Sequence, residues 1–313
     1  MRNAFAAEIT ELALSDDRIV LLSGDIGNRL FDTFRDRFPD RFINCGIAEA
    51  NMIGVAAGLA MNGFRPIAYT ITPFITTRCL EQIRVDVCYH DVPVMIVAVG
   101  AGLSYASLGP THHSCEDIAF LRALPNMAVV CPGDAVEVRH SLREGVKRTS
   151  GTYIRLGKKG EAVIHKTPPA FTIGKAITLR QGRDVCLLST GNMLPVALET
   201  AELLDKAGLS AQLASFHTVK PLDEEYLADA FKKFATVVTI EEHSRLGGFG
   251  AAVAEWLSDQ PRQRANLMRF GTSDEFLHES GEQEHARHHF GLTGPQMAET
   301  IKRQALGSIR LSA

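Results

Sequence analysis

The sequence lacks the features that mark several large classes of protein. No run approaches the roughly 18 consecutive apolar residues of a membrane span, and residues 1–17 contain no apolar core of signal-peptide length. The net charge of −3 and the isoelectric point near 6.4 give no electrostatic basis for binding nucleic acid or an anionic membrane. We therefore expect a cytoplasmic protein that binds neither nucleic acid nor membranes.

Cysteine pairs of the C-x-x-C type are also absent. Six cysteines are scattered along the chain: Cys45, Cys79, Cys88, Cys115, Cys131 and Cys186. Isolated cysteines are typical of reduced, buried thiols rather than of a disulfide framework or a zinc site. The sequence therefore predicts reduced, mostly buried thiols of a cytosolic protein.

Helix-like and strand-like segments alternate throughout the 313 residues, which is typical of parallel sheets covered by helices. The continuous apolar run 93–99 predicts a strand buried on both faces. We predict an α/β fold with two parallel-sheet domains, residues 1–165 and 172–313, divided by a polar, proline-containing segment. Predicted strands cover 19–22, 65–71, 93–99, 184–189, 210–215 and 236–240, and predicted helices 3–14, 48–62, 76–90, 134–148, 193–207, 223–234 and 249–258.

Glu49 is the only acid in the apolar, small-residue stretch 44–60. An ionised carboxylate in such surroundings costs several kcal/mol by rough estimate, so it is usually paired or protonated. Such a group is suited to sharing a proton with a ring nitrogen of a bound cofactor. Gly54 and Gly58 predict a flat helix face that a partner backbone can approach closely. The alternative is a glutamate that merely stabilises a helix amino terminus.

His112 and His113 follow the buried strand and a glycine-containing loop. This predicts a position at the carboxyl end of a parallel strand, where open α/β sheets bind ligands. Histidine exchanges protons near neutral pH, as carbonyl chemistry requires. The alternative is a pair that caps the next helix or is satisfied by the backbone, and no third ligand at metal spacing lies nearby.

Three further groups of residues are candidates for binding. Aromatic residues in the run 69–78 either stack on a flat heterocycle or belong to the core. Arg155 ends a predicted strand and is suited to bidentate pairing with a phosphate or carboxylate, whereas Lys158 and Lys159 fit a solvated domain junction better.

Two charged segments in the second half are interpreted as surface features. The segment 241–250 is charged and glycine-rich, which predicts a turn in an inter-subunit loop. The histidine-rich segment 285–289 fits a solvated or interface segment better than a metal site.

Two motifs in order resemble the carboxyl-terminal half of a transketolase. They are Gly46-Ile-Ala-Glu49 and, about sixty residues later, Gly109-Pro-Thr-His112. The second half is similar to the C-terminal domain of that family in Leu188-Ser-Thr-Gly191 and Lys220-Pro-Leu-Asp223. The resemblance implies a thiamine-diphosphate pyrimidine-binding fold followed by a smaller transketolase C-terminal domain.

The resemblance also implies roles for particular residues. Glu49 matches the glutamate that hydrogen-bonds the aminopyrimidine ring nitrogen of thiamine diphosphate, with Ile47 in the same motif, and Phe74 is the candidate for packing on the pyrimidine. The remaining matches concern the substrate: His112 and its neighbour His113 for the donor oxygen, Arg155 for a substrate phosphate, and Asp25 near the dimer interface and substrate channel.

One family motif is missing from the sequence. Transketolases hold the diphosphate and Mg²⁺ (or Ca²⁺) with a Gly-Asp-Gly motif, which this sequence does not contain. The resemblance therefore implies a split transketolase, in which an N-terminal subunit carries Gly-Asp-Gly and holds most of the metal site. We expect self-association into a heterotetramer, with a heterodimer as the alternative. The expected reaction is transfer of a two-carbon ketol unit from a ketose donor, such as a sugar phosphate, to an aldose acceptor.

Two departures from the family pattern bear on the substrate. Leu108 stands where the family has an aspartate, and Gly100 where it has a histidine. We therefore expect a specialised sugar donor, since a lost hydroxyl-binding group changes discrimination. The alternatives are a 2-oxoacid dehydrogenase beta subunit, a deoxyxylulose-phosphate-synthase-like acyl transferase, and a non-catalytic scaffold subunit.

Overall fold

The computed structural model describes residues 1–27, 29–158, 160–261 and 265–311, with side chains described as far as Gln304. Within these ranges, no helix is long and apolar enough to cross a membrane. All six cysteines are free thiols, and all but the half-buried Cys45 lie in the interior.

The first half of the chain consists of alternating strands and helices. Its strands are β1 (Ile19–Ser23), β2 (Phe42–Asn44), β3 (Arg65–Ile71), β4 (Met95–Val99), β5 (Ala128–Val130) and β6 (Thr152–Leu156). Its helices are α1 (Arg2–Ser15), α2 (Asp32–Arg37), α3 (Glu49–Met61), α4 (Thr72–Ile75), α5 (Leu80–Gln82), α6 (Asp117–Arg122) and α7 (Ala135–Gly145). A π-helical segment, Ile83–Tyr89, continues α5, and short 3₁₀ turns occupy Pro39–Arg41 and Ala106–Leu108.

The second half repeats the alternation on a smaller scale. Its strands are β7 (Ile177–Arg180), β8 (Val185–Ser189), β9 (Ala211–Ser215), β10 (Thr218–Lys220), β11 (Thr236–Ser244) and β12 (Asn266–Thr272). Its helices are α8 (Leu194–Lys206), preceded by a 3₁₀ turn at Gly191–Met193, α9 (Glu224–Lys233), α10 (Phe249–Ser258), α11 (Gln283–His289) and α12 (Gly294–Leu311).

Two sheets result, and the predicted α/β class is confirmed. The larger has the order β10-β5-β6-β4-β3-β1-β2, and all its strands are parallel except β10. The smaller has the order β12-β11-β8-β9-β7, with only β7 antiparallel. Every residue of β1, β4 and β6 is buried because helices cover both faces of the larger sheet.

Strand β10 belongs to the second half by sequence but to the first sheet by pairing. Thr218 and Lys220 pair antiparallel with Val130 and Val129 of β5. The Lys220 ammonium group donates to the carbonyl oxygen of Arg122 at 3.0 Å. A strand of three residues carries too little pattern to predict, so the sequence did not indicate this crossing. One apolar cluster accordingly contains side chains from both halves of the chain.

Two predicted segments differ from the structure. The helix predicted over 76–90 starts late, because the β-branched Thr76 and Thr77 follow α4 without continuing it. Its longest part, residues 83–89, has π-helical geometry. The turn predicted over 241–250 begins later than expected. Strand β11 continues to Ser244, and the side chains of 241–243 are fully buried because each has polar partners inside the chain.

An ion pair in the interior joins β6 to α6 and to the second half of the chain. The Arg155 guanidinium donates to both carboxylate oxygens of Asp117, at 2.7 and 3.1 Å, and the Tyr153 hydroxyl donates to the same carboxylate at 2.5 Å. Nη2 of Arg155 also donates to the carbonyl oxygens of Ser114 (2.8 Å) and Glu242 (3.0 Å). Burial opposes ionisation of Asp117, but the neighbouring guanidinium outweighs it and holds the pKa below its ordinary value.

We predict that Asp117→Asn lowers the free energy of unfolding by about 3–5 kcal/mol, because the buried Arg155 loses its counter-charge. The measurement is the urea midpoint at neutral pH. Because the Asp117 pKa is lower in the folded chain, its contribution is present at neutral pH and is lost as the pH falls through that lowered value.

Glu255→Gln is the matched control, since Glu255 forms an ion pair with Arg122 between the same two halves but is 62% exposed. Its expected cost is below about 1 kcal/mol. Equal midpoints for the two variants would contradict the prediction.

Candidate active site

The carboxyl ends of neighbouring parallel strands meet at one edge of the larger sheet. Asp25 follows β1, and Phe74 lies in α4 directly after β3. Glu49 is the first residue of α3, and His112 lies in the connection between β4 and α6. Open α/β sheets bind ligands at this edge, in the crevice where the strand order reverses. In this sheet the reversal lies between β1 and β3.

Glu49 is buried, with 5% of its surface exposed, and carries an ion pair. Its Oε2 accepts a hydrogen bond from Nη1 of Arg78 at 2.7 Å, while the Arg78 side chain is 48% exposed. Both sequence interpretations therefore describe part of its surroundings, since it is a buried, paired acid and also stands in the first turn of a helix.

Phe74 connects Glu49 to His112. The Arg78 guanidinium carbon lies 4.8 Å from the centroid of the Phe74 ring. The His112 ring meets the Phe74 ring edge-on, with centroids 5.2 Å apart. The predicted residues Glu49, Phe74 and His112 are thus contiguous through Arg78, whose role the sequence analysis missed. Its signal was the presence of a cation four residues after an aromatic residue, although the contact forms across the turn that follows α4 rather than along a helix.

We call the connection from Gly100 to Ser114 the histidine loop. Within it, the ring of Tyr105 lies directly against Gly100. Gly100 has a φ of +93°, and a Cβ there would lie 2.2 Å from Cε2 of Tyr105. The Tyr105 ring therefore fills the space of a side chain at position 100, where the family has a histidine. Its centroid lies 6.4 Å from that of His112, and the Lys158 ammonium group lies 5.4 Å from the Tyr105 centroid.

Two predicted substrate contacts do not reach this edge. His113 is buried, and its Nε2 donates to the carbonyl oxygen of Ala106 at 3.3 Å, so its ring closes the histidine loop internally. Burial also lowers the pKa of His113, which favours the neutral ring. Arg155 is 2% exposed and its guanidinium is engaged by Asp117, so the structure places it in the interior rather than at the edge where it was predicted to bind a substrate phosphate. The sequence could not show that a carboxylate 38 residues away neutralises it.

Asp25 and Ile47 border the site on its open side. Asp25 is exposed, and its carboxylate accepts from Nδ2 of Asn44 at 3.2 Å. Ile47 is 84% exposed, and the space beside the α-carbon of Gly46 is free of other atoms of the described chain.

A metal site does not emerge within the described residues. No group of three histidine, cysteine or acidic side chains among them could hold a metal ion. The histidines predicted to lie in a solvated or interface segment are in α11, where His285, His288 and His289 are exposed. Lys159, one of the two junction lysines, lies outside the described residues.

Comparison with known proteins identifies the family. A model of the transketolase pyrimidine-binding domain matches residues 1–160, and one of the transketolase C-terminal domain matches residues 174–297. The chain belongs to the transketolase family. It is 36% identical over 304 residues to a putative transketolase C-terminal section of Methanocaldococcus jannaschii, covering 96% of this chain and 95% of that protein.

Two other transketolases are similar over nearly their whole length. A 6-deoxy-6-sulfo-D-fructose transketolase subunit from a Clostridium species is 37% identical over 298 residues, which cover 95% of this chain and 92% of that protein. The solved structure of a split-gene transketolase, described as an inactive β4 tetramer, has a TM-score of 0.87 at 34% identity and covers 96% of each chain. The interpretation of this chain as a C-terminal transketolase subunit is thereby confirmed.

We predict that Gly100→Ala destabilises this transketolase subunit by about 1–3 kcal/mol more than Gly63→Ala, because the new methyl group overlaps the Tyr105 ring. Gly63 is the matched control, since its φ is +89° but the space beside it is open. In a Tyr105→Ala background the difference between the two glycine variants should disappear in thermal unfolding. A difference that persists there would exclude Tyr105 as its cause.

Proposed function

We propose that this chain is the C-terminal subunit of a thiamine-diphosphate-dependent transketolase. With an N-terminal subunit, it transfers a two-carbon ketol unit from a ketose donor, such as a sugar phosphate, to an aldose acceptor. The observation that carries the proposal is the contiguous set of Glu49, Phe74 and His112 at the sheet edge. The family and the nearly full-length similarity to transketolase sections and subunits support it.

The residues at this edge fit a thiamine pyrimidine ring. A buried carboxylate at Glu49 can share a proton with a ring nitrogen, and the half-buried ring of Phe74 offers an aromatic face. The exposed Ile47 and the free space at Gly46 leave room for a flat heterocycle beside them. When bound, the cofactor supplies the stabilised carbanion chemistry on which ketol transfer depends.

The chain's own residues would then bind, orient and transfer protons. Glu49 would hold a proton at the cofactor ring, and Phe74 would fix the plane of that ring. His112 would hydrogen-bond the donor's carbonyl or hydroxyl oxygen and exchange its proton, as an imidazole does near neutral pH. Asp25, exposed on the open side, would face the channel through which the sugar enters.

A partner subunit would supply the missing half of the site. The proposal assigns the diphosphate and its Mg²⁺ to an N-terminal subunit with a Gly-Asp-Gly motif, because this sequence lacks that motif. The exposed Ile47 stands two residues before Glu49 and would leave room for that subunit. Further along α3, a Cβ added at Gly58 would meet no other side chain of the described residues, so a partner backbone could approach closely there. Association of two such pairs into a heterotetramer follows the usual two-fold symmetry of oligomers.

We predict that Glu49→Gln lowers kcat for ketol transfer by about 10²–10⁴-fold in the reconstituted pair, because the amide cannot share a proton with the cofactor ring. Glu224→Gln is the matched control, since Glu224 is an exposed glutamate in the first turn of α9. The assay is thiamine-diphosphate-dependent product formation. Unchanged turnover would support a scaffold subunit, and ketol transfer by this chain alone would overturn the two-subunit proposal.

We predict that Leu108→Asp raises kcat/KM for xylulose 5-phosphate relative to the wild type by about tenfold, because the carboxylate can accept a donor hydroxyl. Leu108 is 53% exposed at the end of the Ala106–Leu108 turn, so the charge can be accommodated without burial. Steady-state comparison of several ketose donors measures the effect. An unchanged ranking of donors would show that Leu108 does not contribute to discrimination.

A further inference from the structure

The histidine loop needs support from outside itself, because its 15 residues contain little regular structure. Backbone hydrogen bonds between Gly102 and Ser114, at 3.0 and 2.9 Å, close its base. The single turn Ala106–Leu108 and the contact of His113 with Ala106 order its middle. The start of the loop is held by the first domain, since the backbone N–H groups of Gly100 and Ala101 donate to the carbonyl oxygen of Leu156 at 3.0 and 2.9 Å. The C-terminal domain holds the segment around Leu103 and Ala106.

That domain contacts the loop through an apolar and a polar patch. Leu103 and Ala106 of the loop are buried in one cluster with Leu277 and Ala286. Beside them, the backbone N–H of Leu103 donates to Oε1 of Glu242 at 2.8 Å. A Cβ on Gly102 would lie 2.4 Å from the Glu242 carbonyl oxygen, so the loop backbone and β11 approach as closely as a glycine allows.

The Glu242 carboxylate is itself fixed by the C-terminal domain. Its surface is fully buried, and Oε1 also accepts from Nδ2 of Asn192 and Nε2 of Gln283, each at 2.9 Å. Oε2 accepts from the Arg287 guanidinium, which supplies the counter-charge. A buried carboxylate with this many charged and neutral donors has one position, so it defines where Leu103 lies.

We propose that Glu242 is a positioning residue that sets the geometry of the histidine loop, and thereby places His112 against the sugar donor. This rests on the proposed function. The C-terminal domain thus acts on donor binding and turnover without contacting the substrate. Since Glu49 is on α3 rather than in this loop, Glu242 affects the donor and leaves cofactor binding unchanged.

The test compares Glu242→Gln and Glu242→Ala with the wild type and with Glu255→Gln, which removes an ion pair between the same two halves away from the loop. Glutamine keeps an oxygen for the Leu103 N–H but turns an amide toward the Arg287 donor. Two readouts are used: amide hydrogen exchange of residues 101–113 in the reconstituted pair, and kinetics with xylulose 5-phosphate alongside thiamine diphosphate titration.

We expect faster exchange in residues 101–113 and a fall in donor kcat/KM of about 10–100-fold for Glu242→Ala, with a smaller fall for Glu242→Gln. The thiamine diphosphate Kd should stay within about threefold of the wild type. Exchange and donor kcat/KM equal to those of Glu255→Gln would overturn the proposal, as would parallel losses in cofactor and donor binding. If Glu242→Ala does not fold, Glu242→Gln decides by the same criteria.

Absence of ketol transfer in the wild-type pair would defeat the proposed function instead. The exchange measurement would then still decide whether Glu242 orders the loop.

Discussion

The arrangement of both domains depends on the buried ion pair between Arg155 and Asp117. It joins the centre of the larger sheet, at β6, to the start of α6, and the remaining Arg155 hydrogen bonds go to carbonyl oxygens of Ser114 and Glu242. One guanidinium therefore contacts the sheet, the end of the histidine loop and the C-terminal domain. Such a pair adds little net stability compared with an apolar core, but loss of one partner leaves an uncompensated charge in the interior. The ion pair fixes the positions of the sheet, the histidine loop and the C-terminal domain relative to one another, rather than adding to the stability of the fold.

The candidate site shows what one subunit can and cannot supply. Glu49, Phe74, Arg78 and His112 form an unbroken series of contacts, so the acid, aromatic and histidine components lie within a single domain. At the same edge Ile47 is 84% exposed, and the space beside the α-carbon of Gly46 holds no other atom of the described chain. This is the side of the site that the proposal assigns to the partner subunit.

Local patterns predicted the regular elements well where the pattern was long. Strand β3 and helix α10 have the predicted bounds, 65–71 and 249–258, because each has an uninterrupted apolar pattern. The burial of Glu49 was also predictable, since its neighbours are small and apolar. The partners were not, because they come from distant parts of the chain. Asp117 turns Arg155 from a ligand-binding candidate into an interior residue, and Tyr105 fills the space at Gly100 through a loop conformation that no spacing rule describes.

Strand β10 limits how the two domains of such a protein can be separated or exchanged. The strand comes from the C-terminal domain but covers the β5 edge of the pyrimidine-binding domain, and the chain turns away at Pro221. A lysine at the end of this edge strand and a proline directly after it discourage further strand addition. A pyrimidine-binding domain produced without β10 would expose strand β5, which consists of one alanine and two valines, as an open edge. Exchange of domains between related enzymes would therefore have to move β10 together with the sheet that it completes.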